Sequence, residues 1–174
     1  TGIVNPKSRL TLGEKLGEGD AIVLLAASGI HANGLSLARA LAKRLPQGFG
    51  TAIAPGVTFG DALLVPTPLY APVTEALHAA GIQPHYAANI TGHGWRKLMR
   101  HPRALTYRMQ TLPPVPHVLD FIVGEAAMTP RDAYGTFNMG AGFALFVAAA
   151  DALRTVDVAR RCGVKAWVGG RVEA

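Results

Sequence analysis

The feature that most constrains this chain is an almost continuous apolar run that passes directly into a glycine-containing turn and then into a helical pattern. The run "DAIVLLAAS" covers residues 20–28 and is bounded by the turn signals "GEG" and "SG". Such a run is typical of a strand that is buried on both faces. After it, leucine and alanine recur at helical spacing over residues 35–45. A buried strand followed by an amphipathic helix favours a sheet that is covered by helices.

The same alternation continues along the rest of the chain. Helices are predicted over 72–81 and 151–163, with shorter helices at 117–126 and 131–137. Further strands are predicted over 83–91, 104–110, 139–149 and 164–170, and residues 46–60 are predicted to be a loop rich in glycine and proline. We therefore expect an α+β fold, a layered α/β/α domain in which a mixed sheet has helices on its faces.

Composition limits the classes of partner. The chain has 174 residues, of which 49% are apolar and 16% charged, so one domain with a substantial core is expected and disorder is not. The 17 basic and 11 acidic residues give a formal charge of +6, which favours anionic partners such as phosphorylated metabolites. Few aromatic residues interleave with the basic cluster at 95–103, so we expect no nucleic-acid binding. We also expect no membrane segment, and the single cysteine favours a cytoplasmic protein.

The first glycine-rich junction, "SGIHANG", follows the first strand. Gly29 and Gly34 permit positive φ and a close approach to a ligand, and the helix that follows offers unpaired N–H groups to an anion. His31 can transfer protons near neutral pH, and Asn33 can donate and accept hydrogen bonds. The alternative, which local pattern alone favours, is that Asn33 caps the helix and His31 is an ordinary loop histidine. Ser28 is a weaker candidate as a nucleophile, because no nucleophile-elbow pattern surrounds it.

The second junction, "NITGHGW", again places glycines after a predicted strand. Gly92 and Gly94 on either side of His93 suggest a nest of backbone amides for an anion. Three basic residues in "WRKLMR" follow and would reinforce a phosphate site. The alternative is a plain turn before a solvated basic helix.

The third junction, "TFNMGAG", precedes a buried strand. Asn138 stands just before its glycines, and the alternative is a tight turn with Asn138 in a left-handed conformation. No metal site is predicted, because the six histidines show no ligand spacing and no cysteine cluster supports them.

Taken in order, these pieces resemble the C-terminal domain of the AIR synthetase family, the aminoimidazole ribonucleotide synthetases of purine synthesis and their relatives. The matching stretches are "SGIHANGLSL", "GDALLVPTPLY", "NITGHGW", "YGTFNMGAG" and "KAWVGG". The resemblance implies a connector over 1–19 that enters from an N-terminal domain, and a C-terminal domain over 20–174 with a likeness to ferredoxin-like topology. One departure is that His93 stands where the family usually has a glycine, in "ITGGG".

The resemblance also implies chemistry. Such a protein is an ATP-dependent cyclo-ligase that activates an amide oxygen by phosphorylation, with ATP and Mg²⁺ bound mainly by the N-terminal domain, and the isolated C-terminal domain is expected to be inactive. The alternative is a related kinase, or a binding module, that acts on another phosphorylated substrate. The implied partners are a phosphorylated small molecule, the chain's own N-terminal domain and a second copy in a homodimer. The implied catalytic residues are His31 and Asn33, and the implied substrate- or phosphate-binding residues are Ser28, Gly29, Gly34, Thr91, Gly92, His93, Gly94 and Asn138.

Overall fold

The computed structural model describes residues 3–174. Residues 1 and 2, at the start of the predicted connector, lie outside the described residues. The strands are β1 (Ala21–Ala26), β2 (Ala52–Ala54), β3 (Val57–Thr58), β4 (Tyr86–Asn89), β5 (Thr106–Met109), β6 (Ala141–Val147) and β7 (Ala166–Glu173). The helices are α1 (Leu35–Ala42), α2 (Phe59–Leu63), α3 (Ala71–Ala79), α4 (His117–Glu125), α5 (Pro130–Thr136) and α6 (Ala152–Arg161). Short 3₁₀ helices cover Lys7–Arg9, Gly48–Gly50, Gly94–Met99 and Ala149–Asp151.

Five strands form one sheet in the order β4-β6-β1-β7-β5, and β2 pairs with β3 in a small hairpin. The connection from β1 through α3 to β4 skips the position of β6, and the connection from β6 through α6 to β7 skips the position of β1. These are two interlocked split β-α-β units, which is the ferredoxin-like arrangement. The α+β prediction is therefore confirmed.

The sheet differs from the expected mixed sheet in its pairing. Each of its four strand pairs is antiparallel, because every crossover leaves a gap that a strand of opposite direction fills. The strands β1 and β4 nevertheless run parallel to each other, with β6 between them. This direction matters for the candidate site, since both strands end at the same edge.

Helices cover both faces of the sheet. Ile22 and Leu24 of β1 pack in one core with α1, α2, α4 and α5, whereas Val23 and Leu25 pack in a second core with α3 and α6. All four of these side chains are fully buried. A strand between two helical layers needs apolar residues at successive positions, which explains the unbroken apolar run.

The segment predicted as a loop contains regular structure. The β2–β3 hairpin turns at Gly56, which has φ +71, and α2 follows it at once. The Thr58 side chain accepts a hydrogen bond from the Asp61 backbone, and the Asp61 carboxylate accepts from the Thr58 backbone in return. This capping box is visible in the sequence as "TFGD", but strands of two and three residues are too short to show a period.

The N-terminal segment packs on the rest of the domain. Leu16 is fully buried in the first core, and the Arg9 guanidinium lies 2.8 Å from the Glu75 carboxylate on α3. That residues 1–19 connect to a further domain stays a prediction. Among the described residues, no helix combines the length and the apolar character that crossing a bilayer requires.

Candidate functional site

The sheet topology brings the three glycine-rich junctions to one edge. The strands β1 and β4 end at this edge and β6 begins there, with Ala26 opposite Ala141 and Asn89 opposite Phe143. The turns that follow β1 and β4 therefore lie beside the turn that precedes β6. This convergence is a consequence of strand direction, which the sequence pattern alone does not reveal.

Asn138 ties the three junctions together. Its side-chain Nδ2 donates to the Gly29 carbonyl at 2.9 Å, and its Oδ1 accepts from the Gly140 amide at 3.0 Å. Its own carbonyl accepts from the Trp95 indole at 2.7 Å. Asn138 is 2% exposed, so its amide is used within the protein and is not presented to a ligand. It is a positioning residue for the three turns.

Asn33 and Gly34 shape the start of α1. Asn33 is not the N-cap that local pattern favours: Gly34 holds that position with φ +77, and no side chain caps the helix. The Asn33 amide instead donates to the Thr136 carbonyl at the end of α5. A Cβ added at Gly34 would lie 2.3 Å from a ring carbon of Phe137, so only glycine fits this close approach.

The start of α1 is left open to a ligand. The backbone N–H groups of Leu35, Ser36 and Leu37 donate to no acceptor in the part of the chain that the structure describes. Unpaired N–H groups and the helix dipole together favour an anion at this position.

The turn after β4 forms a second group of open amides. His93 has φ +72 and Gly94 has φ +50, and the Gly94 amide closes the turn on the Thr91 carbonyl at 2.9 Å. Within residues 3–174, no acceptor receives the N–H groups of Gly92 and His93. Successive free amides at a turn with a left-handed residue form a nest for an anion.

The two open turns are neighbours. A Cβ added at Gly92 would lie 3.6 Å from Oδ1 of Asn33. The ammonium of Lys97 donates to the Thr91 hydroxyl, which places a positive charge behind the second turn. A cation and two sets of open amides give this edge the chemistry of a phosphate site.

His31 is buried inside the first turn. It has φ +59 and is 8% exposed, and its Nε2 accepts from the Ser28 amide at 3.2 Å. That hydrogen bond assigns the proton of the neutral ring to Nδ1. Burial lowers the pKa of His31, which keeps the imidazole neutral. The Nε2 lone pair is therefore occupied, and only Nδ1–H is left as a donor.

Ser28 and His93 lie at the surface of the turns. The Ser28 hydroxyl donates to the Pro66 carbonyl at 2.7 Å, and the residue lines a cavity of about 450 Å³ between α4 and the β2–β3 hairpin. His93 is exposed. Of the predicted residues, Ser28 faces away toward this cavity, whereas the structure brings Asn33, Gly92 and Asn138 together with their neighbours.

Tyr70 is a residue of the site that sequence reasoning did not single out. Its hydroxyl donates to the Ala26 carbonyl at 2.7 Å, at the end of β1. A Cβ added at Gly142 would lie 2.0 Å from that hydroxyl and 2.6 Å from the His31 ring, so Tyr70 and His31 pack against the same glycine. Burial raises the pKa of Tyr70, which keeps the phenol protonated. The only signal in the sequence was its place at the end of "PTPLY".

The geometry defines a class of protein: a ferredoxin-like α+β domain in which glycine-rich turns gather at one edge of the sheet. Residues 17–101 match the family model described as "AIR synthase related protein, C-terminal domain". A phosphoribosylformylglycinamidine cyclo-ligase of Methanococcus vannielii is 34% identical over 169 residues, which cover 96% of this chain and 48% of that protein. The protein of the same name in Lysinibacillus sphaericus is 36% identical over 176 residues, covering 95% of this chain and 49% of the relative.

The chain thus belongs to the AIR synthase-related family and corresponds to its C-terminal domain, as the sequence predicted. It spans about half the length of the curated relatives it matches. Among solved structures, tt0281 from Thermus thermophilus is similar, with 18% identity, a TM-score of 0.48, and coverage of 95% of this chain and 48% of that one.

Proposed function

We propose that this chain is the C-terminal half of an ATP-dependent cyclo-ligase that acts on a phosphoribosylformylglycinamidine-type substrate in purine biosynthesis. The observation that supports the proposal best is that two sets of unpaired backbone N–H groups, at the start of α1 and at Gly92–His93, lie side by side. The relatives that this chain matches are named cyclo-ligases. In this proposal the turns bind a phosphate group of the substrate or of ATP. In the same proposal, the protein is located in the cytoplasm and the whole protein forms a homodimer.

The roles of the side chains follow from their contacts. Asn33 presents its Oδ1 beside Gly92, where it orients the substrate next to the phosphate. His31 donates through Nδ1–H and does not act as a base through Nε2, because the Ser28 amide occupies that lone pair. Gly29, Gly34, Thr91 and Gly94 shape the walls of the site, whereas the Ser28 hydroxyl is directed to the Pro66 carbonyl and contributes through its amide, which donates to His31. Holding the reacting groups in position is the main contribution that a phosphoryl-transfer site makes.

ATP and magnesium fit this chain unequally. The open amides suit phosphate oxygens. Within the described residues, no three His, Cys, Asp or Glu side chains come together in a group that could hold a metal ion. In this proposal the metal and most of the ATP contacts belong to an N-terminal domain, as the resemblance to the family implies.

The experiment measures catalytic turnover of the substrate by the longest natural polypeptide that contains this chain. ATP-dependent phosphate release is measured with phosphoribosylformylglycinamidine, together with formation of the aminoimidazole product. We expect His31→Ala and Asn33→Ala to lower kcat at least about tenfold while each chain stays folded. His78→Ala, on α3 at the other face of the sheet, is the matched control and keeps wild-type turnover. If His31→Ala and Asn33→Ala keep the wild-type kcat, the proposed catalytic roles of these two residues are wrong.

A second candidate is a related kinase or binding module for another phosphorylated substrate. It is favoured by His93, whose exposed imidazole stands at the open turn where the family usually has a glycine. This candidate predicts no turnover of the cyclo-ligase substrate by the wild type. It also predicts that His93→Gly changes which phosphorylated compounds bind.

A further inference from the structure

A second cavity lies apart from the glycine-rich turns. It has a volume of about 320 Å³ and lies between the 3₁₀ helix Gly94–Met99, α5 and β5. Three of the nine residues that line it are aromatic, and the rings of Trp95 and Tyr134 meet edge to face with centroids 5.1 Å apart. Tyr107 of β5 forms a further part of the wall. None of the residues assigned to the open turns lines this cavity.

Two arginines stand at the same cavity. Arg96 and Arg131 both line it and both are exposed. Among residues 3–174, neither guanidinium has a carboxylate within ion-pair distance or a hydrogen-bond acceptor. Arg96 lies against the backbone of α5, where a Cβ added at Gly135 would be 3.0 Å from its Nη2. The cations are therefore available to a ligand, and Gly135 leaves the space in which Arg96 lies.

We propose that this cavity binds a planar aromatic anion, a ring that carries a phosphate or carboxylate group. Aromatic walls favour a flat ring through stacked and edge-to-face contacts. The planar fork of an arginine matches the oxygens of phosphate and carboxylate, and its face also packs on aromatic rings. An apolar pocket alone would accept any hydrocarbon and a basic patch alone would accept any anion, whereas the combination requires both parts in one molecule. The proposal does not rest on the cyclo-ligase function.

The probe for the test is 1-naphthyl phosphate, titrated calorimetrically into the 174-residue chain. Inorganic phosphate tests the charge alone, and 1-naphthol tests the ring alone. We expect 1-naphthyl phosphate to bind at least about tenfold more tightly than either part. Arg96→Gln and Arg131→Gln should each weaken its binding about tenfold or more, since each removes a charged hydrogen-bond donor. Arg161→Gln, an exposed arginine on α6 at the opposite face of the sheet, should leave it unchanged.

The location is checked through the two tryptophans. Binding should shift the indole N–H resonance of Trp95, which lines the cavity, more than that of Trp167 on β7. Circular dichroism is used to check that each variant is folded. If Arg96→Gln does not fold, the binding affinity of Arg131→Gln alone tests the proposal. The proposal is overturned if Arg161→Gln weakens 1-naphthyl phosphate binding as much as the cavity variants do, or if inorganic phosphate binds as tightly as 1-naphthyl phosphate. It is also overturned if binding does not saturate or if the Trp95 resonance does not move. An aryl phosphate that shifts only the amides of Gly92 and His93 would assign it to the open turns instead.

Discussion

Replacement of Asn138 by alanine is the perturbation that probes the architecture of the site most sharply. The side chain is buried, and it satisfies the Gly29 carbonyl and the Gly140 amide, neither of which has another partner among the described residues. A buried polar group that loses its partner costs about 1–3 kcal/mol, so two such groups cost about 2–6 kcal/mol. We expect about 3 kcal/mol for Asn138→Ala, since water entering the vacated space recovers part of the loss.

The assay is urea denaturation followed by circular dichroism, with thermal unfolding as a second measurement. A loss of about 3 kcal/mol corresponds to a fall in Tm of about 6–12 °C for a chain of this length. Asn138→Asp should be at least as harmful, because it removes the donor to Gly29 and buries a charge. The matched control is Asn89→Ala, an exposed asparagine on β4, which should change stability by less than about 0.5 kcal/mol. A loss below about 1 kcal/mol in Asn138→Ala, or one equal to the control, would refute the role of Asn138 as the link between the turns.

Three further predictions concern the turns. Gly34 and Gly163 share φ +77, but only an added Cβ at Gly34 would meet a neighbour within 4 Å, the Phe137 ring. Measured by urea denaturation, Gly163→Ala should therefore lower the free energy of unfolding by about 1 kcal/mol, and Gly34→Ala by at least about 3 kcal/mol. Equal losses would contradict the close approach. Burial lowers the pKa of His31, so below about pH 6.5 the unfolded chain binds a proton that the folded chain does not, and stability falls as pH falls. His31→Gln should flatten this dependence when unfolding is compared at about pH 7.5 and about pH 5.5, and an unchanged slope would refute the assignment. His93→Gly should raise the free energy of unfolding by up to about 1 kcal/mol, because it relieves a left-handed residue with φ +72, and a clear loss would count against strain at this turn.

Much of the fold was predictable because the larger elements leave a clear period. The apolar run that becomes β1 and the amphipathic pattern of α6 are examples. The sequence does not reveal the β2–β3 hairpin, because strands of two and three residues show no period. The antiparallel pairing could not be predicted, because which strand fills the gap left by a crossover depends on contacts between distant segments.

The candidate site was predictable as a set of turns but not as a geometry. The order of the motifs that match the family assigns the three junctions to one site. The glycines in these motifs indicate where the backbone approaches a neighbouring group closely. Local pattern favoured Asn33 as a cap, but its amide contacts Thr136, which is distant in the sequence. The resemblance likewise implies that Asn138 binds substrate or phosphate, whereas its hydrogen bonds show that it holds the turns together. Long-range hydrogen bonds of this kind leave no local signal.

The measurement that tests the central claim most directly is a titration of the backbone amide resonances of the chain with inorganic phosphate and then with ATP. If the gathered turns form an anion site, the amides of Leu35, Ser36, Gly92 and His93 should shift together and reach saturation at a common concentration. Asn33→Ala should weaken that response, and Arg161→Gln, far from the turns on α6, should not. The account is contradicted if these four amides stay unmoved, or if they drift without saturation in parallel with amides throughout the basic surface.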